Sequence, residues 1–482
     1  MSATRIPFQP NFFDILVIDE ASQCDIASIL PLLYRSKSVV IIGDPKQLRH
    51  ISVLRKQQDV QLMTKHDVFE NYSGWNYSNV SFFDLAKGYC KPEDIVNLKE
   101  KLEKEHLSEP YNNIEVPLIP VLTTIERNGV SLDFDFLNNL SVQFGSKLIE
   151  LSGKIYQLAG REFNINSPKQ LGEILFDELE LKPIRKRSTS VEVLKTLKNY
   201  HPLPEEVLKY RHLAKLKSTY VDAFPNHMNK ETGRVHTSLN QTIAATGRLS
   251  STSPNFQNIP IRTEMGREVR KAFIPREKDW VILSADYSQV ELRIMAHYSR
   301  EPELIKAFKE DSDIHRRTAA LVNGISEAEV TLDQRRSAKV VNFGIMYGAG
   351  PYRMSQELAI SMAEAKTLID IYFNTYPGIR KYMDETLSFA RKKGYVETMY
   401  GRRRRTGNLH ASNRNLVQAA ERAAINMPIQ GTAADLIKIA MINIHKRMAG
   451  EGYRSKMILQ IHDELLFECL ESEVEKLGAM IQ

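Results

Sequence analysis

Apolar and polar positions change rhythm several times along this chain. Near the N-terminus two runs, Phe13-Asp14-Ile15-Leu16-Val17-Ile18 and Ser38-Val39-Val40-Ile41-Ile42, have the apolar, β-branched texture of buried strands. Each ends in a polar stretch, Asp19-Glu20 and Gly43-Asp44-Pro45-Lys46-Gln47-Leu48. Residues 91–113 are highly charged and end in turn formers, which predicts a linker or exposed helix at a domain seam. From Ile114 the texture becomes that of long amphipathic helices, over 117–128 and 137–159. Residues 207–220 mix Lys209, Arg211, His212, Lys215 and Lys217 with Leu208, Leu213 and Leu216, a helix that is either a solvated face or a track for phosphates.

Residues 233–262 are dominated by short polar side chains and read as a long irregular loop, of a length that is uncommon without a function. Val281-Ile282-Leu283 then predicts a buried strand that stops at Asp286, after which Val290, Ile294 and Met295 resume at helical spacing. Arg335, Lys339, Phe343 and Tyr347 recur at steps of four and so share one face of a helix. Residues 457–461 and 465–467 read as the arms of a tight hairpin around His462-Asp463-Glu464. Strands and helices together give an α/β class.

Composition changes the picture little. With 482 residues the chain has room for two to four domains, and 42% hydrophobic and 26% charged residues are ordinary for a soluble protein. A net charge of +6 permits a polyanionic partner without demanding one. The three cysteines, Cys24, Cys90 and Cys469, lack metal-ligand spacing and suggest reduced thiols in the cytoplasm. No stretch is apolar for long enough to cross a bilayer, and the N-terminus has no signal-peptide pattern. No G-x-x-x-x-G-K-[ST] occurs, so the acids after the first strand have no phosphate cradle, and no ATPase activity is expected of residues 1–90.

The chemistry lies in the acids and the basic helix. Alone, Asp286 reads as a helix cap. A second acid pair, Asp463-Glu464, in a turn between core strands changes that, because such a turn is costly unless a cation sits there. Two carboxylate sites on rigid strands, with a basic helix between them in sequence, suit two-metal phosphoryl transfer. The Arg335–Tyr347 stripe presents two cations and then two aromatics, the order of a triphosphate and its base. Arg248, Asn255, Gln257 and Asn258 could donate to minor-groove acceptors, which every Watson–Crick pair presents in nearly the same places.

With these residues in view, the chain from about residue 114 onward resembles a family A DNA polymerase of the bacterial polymerase I large-fragment type. Asp286-Tyr287-Ser288-Gln289-Val290-Glu291-Leu292-Arg293 is similar to the family's motif A, with Val290 where isoleucine is usual. Residues 335–348 are similar to motif B and His462-Asp463-Glu464 to motif C. Blocks at 246–251, 254–260, 421–426 and 428–435 resemble further segments of the family. Residues 1–90 resemble motifs II and III of a superfamily 1 helicase, as a fragment.

The resemblance implies a right hand: thumb with the start of the palm at 114–265, palm at 266–305, fingers at 306–393 and palm again at 394–482, preceded by the fragment 1–90 and the linker 91–113. It implies two Mg²⁺ ions on Asp286, Asp463 and the carbonyl of Tyr287, with His462 and Glu464 in support. Arg335 and Lys339 would bind phosphates, His315 assisting and Lys339 acting as general acid. Phe343 and Tyr347 would meet the sugar and base, with Gln289 among the nucleotide contacts. Glu291, taken to lie one turn past Tyr287 on the same helix face, would be the gate against a 2′-hydroxyl. Arg248, Asn255, Gln257, Asn258, Arg422, Asn426, Gln430 and His462 would hold the primer–template, and the run 402–405 would suit duplex phosphates. The substrates implied are primer–template DNA and dNTPs, acted on by a monomer.

Three departures qualify this. A helicase-like piece stands where the family usually has a 3′–5′ exonuclease domain, so neither proofreading nor 5′ nuclease activity is expected. The family continues some tens of residues past Gln482, so the support behind Asp463 is expected to be incomplete. Phe343 stands where some relatives have tyrosine, which implies discrimination against dideoxynucleotides. Two other readings are a non-catalytic DNA-binding remnant and a helicase or ATPase fragment.

Overall fold

The computed structural model describes residues 98–260 and 263–482, with side chains from residue 101 onward, and the backbone of two strands nearer the N-terminus. The chain divides into two units, Met1–Glu105 and His106–Gln482. In the first, β1 (Phe13–Ile18) pairs in parallel with β2 (Ser36–Ile41), from Phe13 opposite Ser36 to Ile18 opposite Ile41. Asp19-Glu20 and residues 43–48, the proposed helicase motifs, lie outside the described residues, as do Cys24 and Cys90. The division after Glu105 falls inside the stretch read as a linker, which contains a short helix, Leu98–Lys104.

The second unit begins in earnest with α1 (Val116–Asn128), where Pro117 occupies the first turn, a position needing no N–H. Leu118, Val121, Leu122 and Ile125 form its buried stripe. The Asp133 side chain accepts from the backbone N–H of Phe136 at 2.8 Å and starts α2 (Phe134–Ala159). Leu137, Leu140 and Phe144 of α2 pack with Leu213 and Leu216 of α3 (Leu203–Leu216). The same cluster takes in Phe224, Phe256 and three residues of a sheet strand, Ile458, Leu459 and Ile461, so the helical region and the sheet share one core.

The stretch read as a long loop is more ordered than its composition suggests. Within it β3 (Ser238–Asn240) and β4 (Ser250–Thr252) pair antiparallel, and Thr237 and Ser251 hydroxyls meet at 2.8 Å in the interior. Short polar side chains here satisfy one another and nearby backbone, a pattern that composition alone does not separate from solvated loop.

β5 (Trp280–Asp286) leads through a turn to α4 (Val290–Ser299). Beyond the short helix Pro302–Lys309 lie α5 (Ile314–Asn323) and α6 (Leu332–Met346), the latter begun by a capping box in which Thr331 and Gln334 satisfy each other's amides. Two short strands, β6 (Tyr395–Glu397) and β7 (Arg403–Arg405), pair antiparallel before the 37-residue α7 (Arg414–Gly450). The chain then forms the predicted hairpin, β8 (Lys456–Ile461) and β9 (Glu464–Leu470), and α8 (Val474–Ile481), whose Leu477 is buried.

The central sheet has the order β5-β9-β8, antiparallel throughout, with Trp280 opposite Leu470 and Asp286 opposite Glu464. β5 is less buried than a core strand: after Trp280 its residues are half-buried or exposed, because it lies at an edge of the sheet among the described residues. On β9, Glu468 is fully buried and closed on by Arg234 and Arg276, each at 2.8 Å.

Candidate active site

The two acid sites meet because the register of β5 and β9 brings them to one end of the sheet. Asp286 is the last residue of β5 and stands opposite Glu464, the first of β9. The N–H of Tyr287 donates to the carbonyl of Asp463 at 3.3 Å, which ties the two segments just past the strand ends. The hairpin turns in two residues, with His462 in the left-handed region at φ 56°. Gln460 and Gln257 brace that turn: the Gln460 amide donates to the His462 carbonyl, and Gln257 donates to Gln460 at 3.0 Å. Glu464 accepts a hydrogen bond from the Ser284 hydroxyl at 2.6 Å.

Burial, and then the negative charges of Asp463 and Glu464, push the Asp286 carboxyl above the usual range. Among the described residues neither Asp286 nor Asp463 has a basic side chain within ion-pair distance, so carboxylates crowd together with no protein cation between them. Among these residues no group of three or more His, Cys, Asp or Glu side chains is placed to hold a metal ion. A pair of carboxylates alone leaves most of a cation's shell to water and substrate oxygens, a donor set that suits a hard cation.

The turn after Asp286 corrects one expectation. Helix α4 starts at Val290, and Gln289 before it is left-handed at φ 53°, so Tyr287 is in the turn and does not share a helix face with Glu291. Tyr287 is exposed, whereas Glu291 is 8% exposed. One Glu291 oxygen accepts from Arg248 at 2.6 Å and the other from the Tyr347 hydroxyl. Burial, followed by the charge and hydrogen bond of Glu291, raises the Tyr347 phenol far above its ordinary value, and Asp463 contributes in the same direction. The end of the α6 stripe therefore lies within electrostatic reach of the acid hairpin.

Phe343 of α6 and Tyr347, the residue just past its end, stack with ring centroids 6.3 Å apart. Lys339 is exposed and has no hydrogen-bond or ion-pair partner among the described residues. Arg335 donates through Nε to Asp313 at 2.5 Å. His315 is 2% exposed, and Asn342 donates to its Nδ1 at 3.0 Å, which leaves the ring proton on Nε2. Burial, with Lys339 next, lowers its pKa to about 4, so near neutral pH it is an uncharged imidazole.

The residues expected at the primer–template are already engaged in part. Arg248 is held by Glu291, Asn255 accepts from the N–H of Gln257 at 2.9 Å, and the Asn258 carbonyl accepts from Tyr220 at 2.6 Å. Arg422, Asn426 and Gln430 follow at steps of four on α7. Arg422 lies beneath Gly348, where φ is 69° and an added Cβ would stand 2.9 Å from its Cγ, so the turn after α6 needs glycine. Among the described residues the buried Oδ1 of Asn426 has no hydrogen-bond partner.

In the run 402–405, expected to meet duplex phosphates, Arg402 is engaged within the protein. Its guanidinium is ion-paired with Asp435 at 2.8 Å and with Glu115, while fully buried Lys438 reaches Glu115 at 2.6 Å. Arg403 pairs with Glu397. Sequence reading missed this network, although Asp435 and Lys438, three apart in an otherwise apolar stretch of α7, are charges that a core accepts only when paired.

Comparison with known proteins agrees with this geometry. The family model of DNA polymerase family A matches residues 134–482, and that of an AAA domain matches residues 2–52. DNA polymerase I of Deinococcus radiodurans is 51% identical over 376 residues, which cover 77% of this chain and 39% of that protein. The thermostable DNA polymerase I of Thermus aquaticus is 46% identical over 393 residues, covering 80% of this chain and 47% of that one. The chain thus spans less than half the length of these relatives. A solved structure, the POL domain of Pol1 from M. smegmatis in complex with DNA primer–template and dNTP, matches at 41% identity and a TM-score of 0.76, over 80% of this chain and 68% of that chain. With a helicase-like stretch at its N-terminus and the α/β fold of a polymerase after it, the chain belongs to DNA polymerase family A.

Proposed function

We propose that this chain is a template-directed DNA polymerase that adds deoxynucleotides to a primer 3′-hydroxyl and releases pyrophosphate. The observation that carries the reading is the β5–β9 register, which sets Asp286 beside the Asp463-Glu464 turn with no protein cation between the carboxylates. Thumb and the start of the palm would occupy 114–265, palm 266–305 and 394–482, and fingers 306–393. Asp286, Asp463 and the Tyr287 carbonyl would hold two Mg²⁺ ions, which when bound supply charge neutralisation at the triphosphate and acidify the primer hydroxyl.

The chain's own residues do the rest. Lys339, exposed and unpaired among the described residues, binds the phosphates with Arg335 and gives a proton to the departing pyrophosphate as the primer oxygen bonds to the α-phosphorus. Phe343 and Tyr347 offer a stacked pair to the sugar and base, with His315 donating a neutral N–H and Gln289 placed at the turn beside them. Glu291, fixed from two sides, stands against a 2′-hydroxyl. Arg248, Asn255, Gln257, Asn258, Arg422, Asn426, Gln430 and His462 read the primer-terminal pair without regard to sequence, and Glu464 supports the carboxylates.

The same reading includes a monomer working in a reducing cytoplasm, in keeping with the free, buried thiol of Cys469. It also includes extension without proofreading, the stretch at 2–52 being similar to an AAA domain. Primer extension with Mg²⁺ and four dNTPs tests the whole: extension by the wild type and none by Asp463→Ala is expected. DNA binding without extension would make the chain a non-catalytic remnant.

A further inference from the structure

We propose that Asp313 is a positioning residue for the triphosphate: its carboxylate pins the guanidinium of Arg335 at one corner and leaves both terminal NH₂ groups free to grip phosphate. The inference rests on the polymerase reading above and adds a residue to it. Asp313 uses its two oxygens for different elements. Oδ1 accepts from the N–H groups of His315 at 3.0 Å and Arg316 at 3.1 Å, which caps α5. Oδ2 accepts from Nε of Arg335 on α6 at 2.5 Å, across 22 residues of sequence. No partner for either Nη of Arg335 is found among the described residues.

A guanidinium held through Nε keeps its plane fixed and its fork open, the geometry that matches a phosphate in bidentate fashion. A half-exposed arginine otherwise loses rotamer freedom on binding, and prior fixing removes that cost. Burial works to raise the Asp313 pKa, but the hydrogen bonds from Arg335 and from the Arg316 and His315 amides more than offset it and hold the carboxylate below its usual range, hence ionised. Lys339, one turn along α6, keeps its charge uncompensated. Lys339 thus supplies attraction and Arg335, through Asp313, supplies direction.

The test is a double-mutant cycle on the full chain, with Asp313→Asn, Arg335→Ala and the combination, read by equilibrium binding of dATP with Mg²⁺. Asparagine caps a helix as well as aspartate, so the thermal midpoint of Asp313→Asn should match wild type. We expect Asp313→Asn to weaken dATP binding about tenfold, the worth of one charge-assisted hydrogen bond. In the Arg335→Ala background the same change should have no effect. An undiminished effect in that background would make Asp313 a structural cap only, and tighter binding by Asp313→Asn would make it a competitor for Arg335; either overturns the proposal. Binding needs no turnover, so a chain that binds dATP with this coupling but extends no primer would fail the polymerase reading alone.

Discussion

Glu291 accepts a hydrogen bond from the hydroxyl of Tyr347, and this joins α4, the helix after β5, to the end of α6. Arg248 holds the other oxygen, so the carboxylate is fixed on both sides and, as the proposed gate, would have little freedom to yield to a bulkier sugar. Removing it opens that space. Glu291→Ala should raise ribonucleotide use relative to deoxynucleotides by about tenfold or more, since a site loses discrimination when its fixed contact goes. Competition between rNTP and dNTP in single-nucleotide extension measures it. Unchanged sugar selectivity would remove Glu291 from the gate.

Phe343 stacks on Tyr347 and carries no hydroxyl. By resemblance, a hydroxyl there compensates for a missing 3′-hydroxyl. Phe343→Tyr is therefore expected to increase termination by dideoxynucleotides at fixed dNTP. Equal termination ladders from the two proteins would refute the assignment.

The Glu115–Arg402–Asp435–Lys438 network carries a stability prediction. Glu115→Ala leaves Lys438, fully buried, and Arg402 without one of their carboxylates. Breaking one partner out of a buried ionic group costs about 3–5 kcal/mol. The denaturant midpoint should fall markedly, while a midpoint within error of wild type would mean the network is not a stabilising strut.

How much of this was legible beforehand follows from the range of the interactions. The strand ending at Asp286, the hairpin at Asp463 and the α6 stripe are local patterns of period two or four, and each reappears in the fold. The network above joins residues 287 and 323 positions apart, and nothing local says which charge meets which. Arg402 was further hidden by its neighbours, because four arginines in a row look like solvated surface. The turn at Gln289 was missed for another reason: a left-handed non-glycine residue has no sequence signature, so helix spacing was carried back too far, to Tyr287.

His315 gives a pH dependence. Its folded pKa of about 4 lies below the ordinary value of 6.5, so between those values the unfolded chain takes up a proton that the folded one does not. Stability from this residue is complete above pH 6.5 and is lost as pH falls toward 4, by up to about 3 kcal/mol. Unfolding midpoints measured across that window should fall less steeply for His315→Gln than for wild type. Parallel profiles would contradict the buried neutral imidazole.

The central claim is that Asp286 and Asp463 together form the catalytic centre. Single-turnover addition of one matched dNTP to a primer–template in Mg²⁺ tests it most directly, comparing wild type with Asp286→Asn and Asp463→Asn. Each substitution should slow addition by about a thousandfold or more, several kcal/mol of lost stabilisation, with primer–template binding preserved. Incorporation within a few-fold of wild type by either variant would contradict it.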